Sequence, residues 1–166
     1  MFSGEREETL RTGRYLIPFL GMAGLLAAFA LISGDVRAEE FVKYAVKDSN
    51  SIPRSLTGQP GDPENGRKVS VDRKKGNCLA CHAMPIPEQP FHGEVGPDLS
   101  GVGGRYDAGE LRLRVVNPKF ANPDTIMPAF HRTDGFHRVL KGFEGKPMLS
   151  AQEVEDVVAY LVTLRD

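Results

Sequence analysis

Tryptophan does not occur in this chain of 166 residues, the aromatics together make up only 8%, and cysteine occurs twice, as Cys78 and Cys81. Two cysteines do not make a disulfide-stapled scaffold, and they fall short of the roughly four ligands of a structural zinc site. The histidines His92, His131 and His137 are not read as a zinc-type histidine pair, although His131 and His137 come close. Net charge is low too, at -1, so nothing points to nucleic acid. A long apolar run is also lacking. Tyr15 to Ile32 is uncharged, but Pro18 interrupts it and leaves Phe19 to Ile32, 14 residues. That is short for a membrane span, which needs about 20.

The same run fits the apolar region of a signal peptide. Arg11 and Arg14 precede it, Gly34 breaks it, and Val36-Arg37-Ala38 offers a small-residue cleavage site. Residues 1–38 are therefore expected to be a signal peptide cut after Ala38, and the mature protein is expected in the periplasm. Glu5, Glu7 and Glu8 dilute the positive end of this leader. The competing expectation is an uncleaved anchor, the only route by which this chain would meet a membrane.

What is present is Gly76-Asn77-Cys78-Leu79-Ala80-Cys81-His82. Its centre, Cys-x-x-Cys-His, is the attachment signature of a c-type haem. A three-residue step on one helical turn puts both sulfurs on one face, where they can form thioethers to the two vinyl groups of one porphyrin. His82 follows on that face and can bring an imidazole nitrogen to the iron. A thioredoxin-type pair needs a βαβ setting, which the flanking sequence lacks, and a step this short inside a helix is a poor place for a disulfide. One covalently attached haem c is expected. It would also supply the large apolar insert that a core poor in rings needs, since buried apolar area stabilises by roughly 25 cal/mol per Å².

The rest of the chain reads as helices and long loops. Residues 39–63 form an expected extended N-terminal arm, irregular from Ser51 to Pro63 where Ser, Pro and Gly are dense. Residues 64–166 form the expected haem domain. Asp62-Pro63 opens a helix running to about Arg73, with Asp62 as cap. Its basic run, Arg67, Lys68, Arg73, Lys74 and Lys75, reads as a solvated face, with a docking patch or propionate partners as the rival. From Ala83 to Ile126 six prolines and six glycines exclude mostly regular helix, apart from one helix capped by Asp107 and Glu110 and ended at Asn117-Pro118. Ser150 to Glu153 is a capping box, and Val154, Val157, Val158, Leu161 and Leu164 follow at helical spacing. The best distal iron ligand is Met127, a soft neutral thioether in Met127-Pro128. Met84 is too close to His82 to reach the other face, and Met148 suits the core. His131, His137 and an open distal side remain as alternatives.

Taken together, Ile52 to Gly58, Gly76 to His82, Gly96 to Gly103, Thr125 to Pro128 and Ala151 to Val158 resemble the SoxX family, the monohaem subunit of the SoxAX cytochrome of sulfur-oxidising bacteria. The resemblance implies an all-α, class I cytochrome c-like fold wrapped around one haem. In that class a Gly-Pro-x-Leu element, here Gly96-Pro97-Asp98-Leu99, accepts the proximal His Nδ1–H at the Pro carbonyl and packs the Leu on the ring. Cys78 and Cys81 match the attachment cysteines, and His82 and Met127 match the axial ligands. The resemblance further implies a periplasmic heterodimer with SoxA that couples thiosulfate to a cysteine of the SoxYZ carrier. The sulfur chemistry is assigned to SoxA, so this chain would be the non-catalytic electron relay of a cysteine S-thiosulfotransferase, passing electrons to a downstream acceptor. The alternatives are a stand-alone class I electron carrier and a ligand-binding haem protein. The Ser51 to Pro63 arm is the expected partner-binding segment.

Overall fold

Asp62 accepts hydrogen bonds from Glu64 N and Asn65 N, and Pro63 stands at the first helical position, so α1 (Pro63–Val71) begins where capping chemistry places it. The computed structural model describes residues 41–165. The leader and its cleavage site after Ala38 lie outside the described residues. After α1 come a one-turn helix α2 (Val102–Arg105), then α3 (Ala108–Val116) and α4 (Ala151–Thr163), with 3-10 turns at Cys78–Ala80, Pro118–Phe120 and Lys141–Phe143. Among the described residues there is no strand, only an isolated bridge between Lys47 and Ser51, so the domain is all-α.

Helix α1 stops at Val71, two residues short of the expected end. Asp72 leaves the helix and becomes the hub of a turn, accepting from Lys75 N and Asn77 N at 3.0 Å each. Helix α2 was not expected in a glycine-rich loop, where propensity is poor. Packing explains it: Gly103 N donates to Leu164 O at 2.9 Å, and a Cβ on Gly103 would lie 2.4 Å from Val162 O. The loop folds into a turn because it lies directly on the end of α4.

Helix α4 is the centre of the fold and packs against α1, α3 and α2. Its capping box is formed, with Ser150 and Glu153 bonding each other's backbone N–H. Val154, Val157, Val158, Tyr160 and Leu161 are buried, and so are Glu155 and Asp156. The crossing with α1 is so close that a Cβ on Gly66 would sit 1.9 Å from Asp156 O. Both buried acids are satisfied. Glu155 forms a two-pronged pair with Arg112 of α3, at 2.8 Å on each prong, and also accepts from Leu56 N. Arg112 gives its remaining nitrogen to Ile52 O at 2.7 Å. Asp156 accepts from Asp62 N, Asn65 and Gln152. Three of these contacts, through Leu56 N, Ile52 O and Asp62 N, tie residues 51–63 to the helices. That stretch is irregular in conformation, yet Ile52 is only 1% exposed.

Candidate haem site

The Cys-x-x-Cys-His motif forms one tight turn after α1. Asn77 enters it in the left-handed region (φ 46°), a conformation Asn tolerates better than most residues. Cys81 N and His82 N both donate to Cys78 O, at 3.1 and 2.9 Å. Both thiols are free and half-buried. Burial pushes the Cys78 thiol pKa up. Leu79 points the other way, into the core.

The chain then loops out and returns along its own motif. Gly93 N donates to Leu79 O, Gly96 N to Cys81 O and Leu99 N to Ala83 O, at 2.7, 2.7 and 2.9 Å. This register sets Pro97 O 2.7 Å from His82 Nδ1. A carbonyl can only accept, so Nδ1 carries the proton and Nε2 keeps its lone pair for a metal. Gly96 lies flat on the imidazole: a Cβ there would be 2.3 Å from His82 Cε1. Only a residue with no side chain leaves the ring in place. Arg105 holds the same loop by donating to Asp98 O and Ser100 O, and Leu99 packs on the core. The Ser100 N–H keeps the Asp98 carboxyl pKa below its usual range.

Met127 is partly buried against the core, and its N–H donates to Thr125 Oγ1. The rivals for the distal position are differently placed. Met84 is buried in the core cluster, and Met148 packs against it. His137 is exposed. His131 is fully buried, with Nδ1 bonded to Leu149 O at 2.8 Å and Nε2 accepting from Val42 N at 3.1 Å, so neither nitrogen is free. His131 and His137 do have five residues between them, a spacing that zinc sites use. Even so, among the described residues no group of three or more His, Cys, Asp and Glu side chains is gathered to hold a metal ion.

The donor set fits haem c: two free thiols three residues apart, an imidazole with Nδ1 committed, and a thioether on a separate loop. Sequence reasoning missed the steric role of Gly96, the buried Arg112–Glu155 pair and the engagement of His131. A signal for the second was available, since Arg112 stands between Leu111 and Leu113 in a nine-residue helix. Of the basic run, Arg67 pairs with Glu88 and Lys75 with Glu153.

The comparisons with known proteins point to a c-type cytochrome. The cytochrome c family profile matches residues 63–165. Cytochrome c-550 of Bacillus subtilis is 26% identical over 117 residues, which is 69% of this chain and 84% of that protein. The crystal structure of SoxXA from P. pantotrophus contains a chain 42% identical, with a TM-score of 0.68, covering 78% of this chain and 98% of that one.

Proposed function

The chain belongs to the cytochrome c family and is a SoxX-type cytochrome, and from that premise we propose that it is the electron-relay subunit of a periplasmic SoxAX-type thiosulfate-oxidising enzyme. As a cytochrome c it transfers electrons through covalently attached haem c. In the proposal there is one haem, Cys78 and Cys81 would hold it, and His82 and Met127 would ligate its iron. The partner is a SoxA-type subunit, and the thiol that receives thiosulfate belongs to a SoxYZ-type carrier. The bound haem supplies a one-electron couple. This chain's residues set its surroundings: Pro97 O orients His82 and raises its basicity, Gly96 keeps the ring seated, and Met127 offers a neutral ligand that favours the reduced state.

The observation that carries the reading is likeness to a chain of SoxXA over nearly that chain's whole length. Chemistry supports the division of labour. The chain has only two cysteines, both proposed to be spent on the haem, so the thiol chemistry falls to other subunits. The test combines the purified holoprotein with a SoxA-type subunit, a SoxYZ-type carrier and thiosulfate. Reduction of its haem that needs all three, together with a stable heterodimer on size exclusion, is expected. A monomer whose haem is never reduced under those conditions would return the protein to the stand-alone carriers.

A further inference from the structure

The proposed distal ligand stands on a loop, and a loop holds a ligand only as firmly as its stem is held. That stem is Ala129 to His131, all buried. Phe130 N and His131 N donate to Val115 O and Val116 O at the end of α3, at 3.2 Å each. On the other side Leu149 N donates to Phe130 O at 2.9 Å. His131 closes the arrangement from within. Its Nδ1 donates to Leu149 O, which fixes the tautomer and leaves Nε2 as an acceptor for Val42 N–H. Phe41 stacks on the same imidazole with ring centroids 5.3 Å apart, and Tyr44 lies beside Asn117 just past α3.

We infer that His131 is a positioning residue for the distal ligand, and that residues 41–44 are a strap whose docking on His131 holds the Met127 loop. This rests on the reading of Met127 as the iron's thioether ligand. A buried histidine with both nitrogens satisfied has no reason to bind iron itself. It has a clear mechanical consequence: four residues from Met127 it joins three segments distant in sequence, namely the strap, the end of α3 and the lead into α4. Removing one side of such a buried bond leaves the partner group unsatisfied. The loop stem then gains alternatives that no longer present the sulfur to the iron.

The test uses full-length holoprotein made in cells with intact cytochrome maturation. Imidazole is titrated against the Met-to-iron charge-transfer band of the oxidised form, because it competes directly with the thioether. His131→Ala should lower the half-effective imidazole concentration about tenfold, and Val42→Pro, which deletes the N–H donor and also fixes φ at that position, about fivefold. His131→Asn, which can keep a donor toward Leu149 O, should recover part of the loss. Asp62→Ala, which removes the α1 cap on another part of the molecule, should lower the melting temperature without moving the imidazole curve. If His131→Ala and Val42→Pro behave like Asp62→Ala, the inference is wrong. Met127→Ala separates the two levels: a band that survives it overturns the ligand reading and the inference together. A band lost in Met127→Ala but unmoved in the His131 and Val42 variants overturns the inference alone.

Discussion

A single methyl group at position 96 should change the electronics of the iron. The Cβ of Gly96→Ala would stand 2.3, 2.6 and 2.8 Å from Cε1, Nδ1 and Nε2 of His82. Ordinary contact between such atoms is about 3.5 Å, so ring and loop must separate by about an ångström. The ring cannot retreat and keep its 2.7 Å bond to Pro97 O. The Nδ1–H bond makes the imidazole a stronger donor and so favours the oxidised iron. Its loss removes about 1 kcal/mol of that preference. For a one-electron couple about 59 mV corresponds to a tenfold change in equilibrium constant, so the midpoint should rise by about 40 mV. Gly104→Ala is the control, because a Cβ there meets nothing within 4 Å. Spectroelectrochemical titration of the two variants beside the wild type reads the effect, and the proton resonance of His82 Nδ1–H reports the bond itself. A Gly96→Ala protein with the wild-type midpoint and an unshifted Nδ1 proton would refute the claim that this glycine seats the ring.

Gly66→Ala should destabilise the fold by about 3 kcal/mol, since the new methyl meets the α4 backbone at Asp156 O and backbone cannot step aside; thermal unfolding measures it. Arg112→Met should cost about 3–5 kcal/mol by leaving Glu155 charged and buried without its partner. Adding Glu155→Gln should recover part of that in denaturant titration, and no recovery would mean the loss lies in packing. Thiol labelling of denatured holoprotein should find no free cysteine; one reactive Cys78 or Cys81 would show single-bond attachment.

The haem motif and the helix starts at Asp62, Asp107 and Ser150 were legible because each is a local signal, whereas the role of the Gly-Pro-x-Leu element came with the family resemblance, since its bond to His82 spans 15 residues. A cap acts within one turn of itself, and Cys78 to His82 spans a single turn. The long-range pairings were not legible. Glu155 and Asp156 look like the polar side of an amphipathic helix, yet both are buried because Arg112, Asn65, Gln152 and the backbone of the arm come to meet them. Nothing near position 155 in sequence announces a partner 43 residues away. His131 is the same case: a histidine after Met-Pro reads as a rival ligand until Val42, 89 residues earlier, occupies its nitrogen. Glycine-rich chain at Val102–Arg105 reads as loop, and helix α2 forms there because Leu164, at the end of α4, supplies a carbonyl partner from outside the segment.

These buried pairings bear on why the proposed ligands can stand on irregular chain. One-electron transfer is fast when coordination is the same in both oxidation states, which asks for immobile ligands. Helices give immobility through their own hydrogen bonds, but neither His82 nor Met127 lies in a helix. Each is held instead by crossing backbone bonds to neighbouring segments: His82 through Gly96, Pro97 and Leu99, and the Met127 stem through Val115, Val116 and Leu149. The helices serve as fixed posts, and the Arg112–Glu155 pair ties two of those posts to the arm before α1. A site built this way resists opening at the iron. Passing an electron through such a site requires undoing none of these backbone bonds.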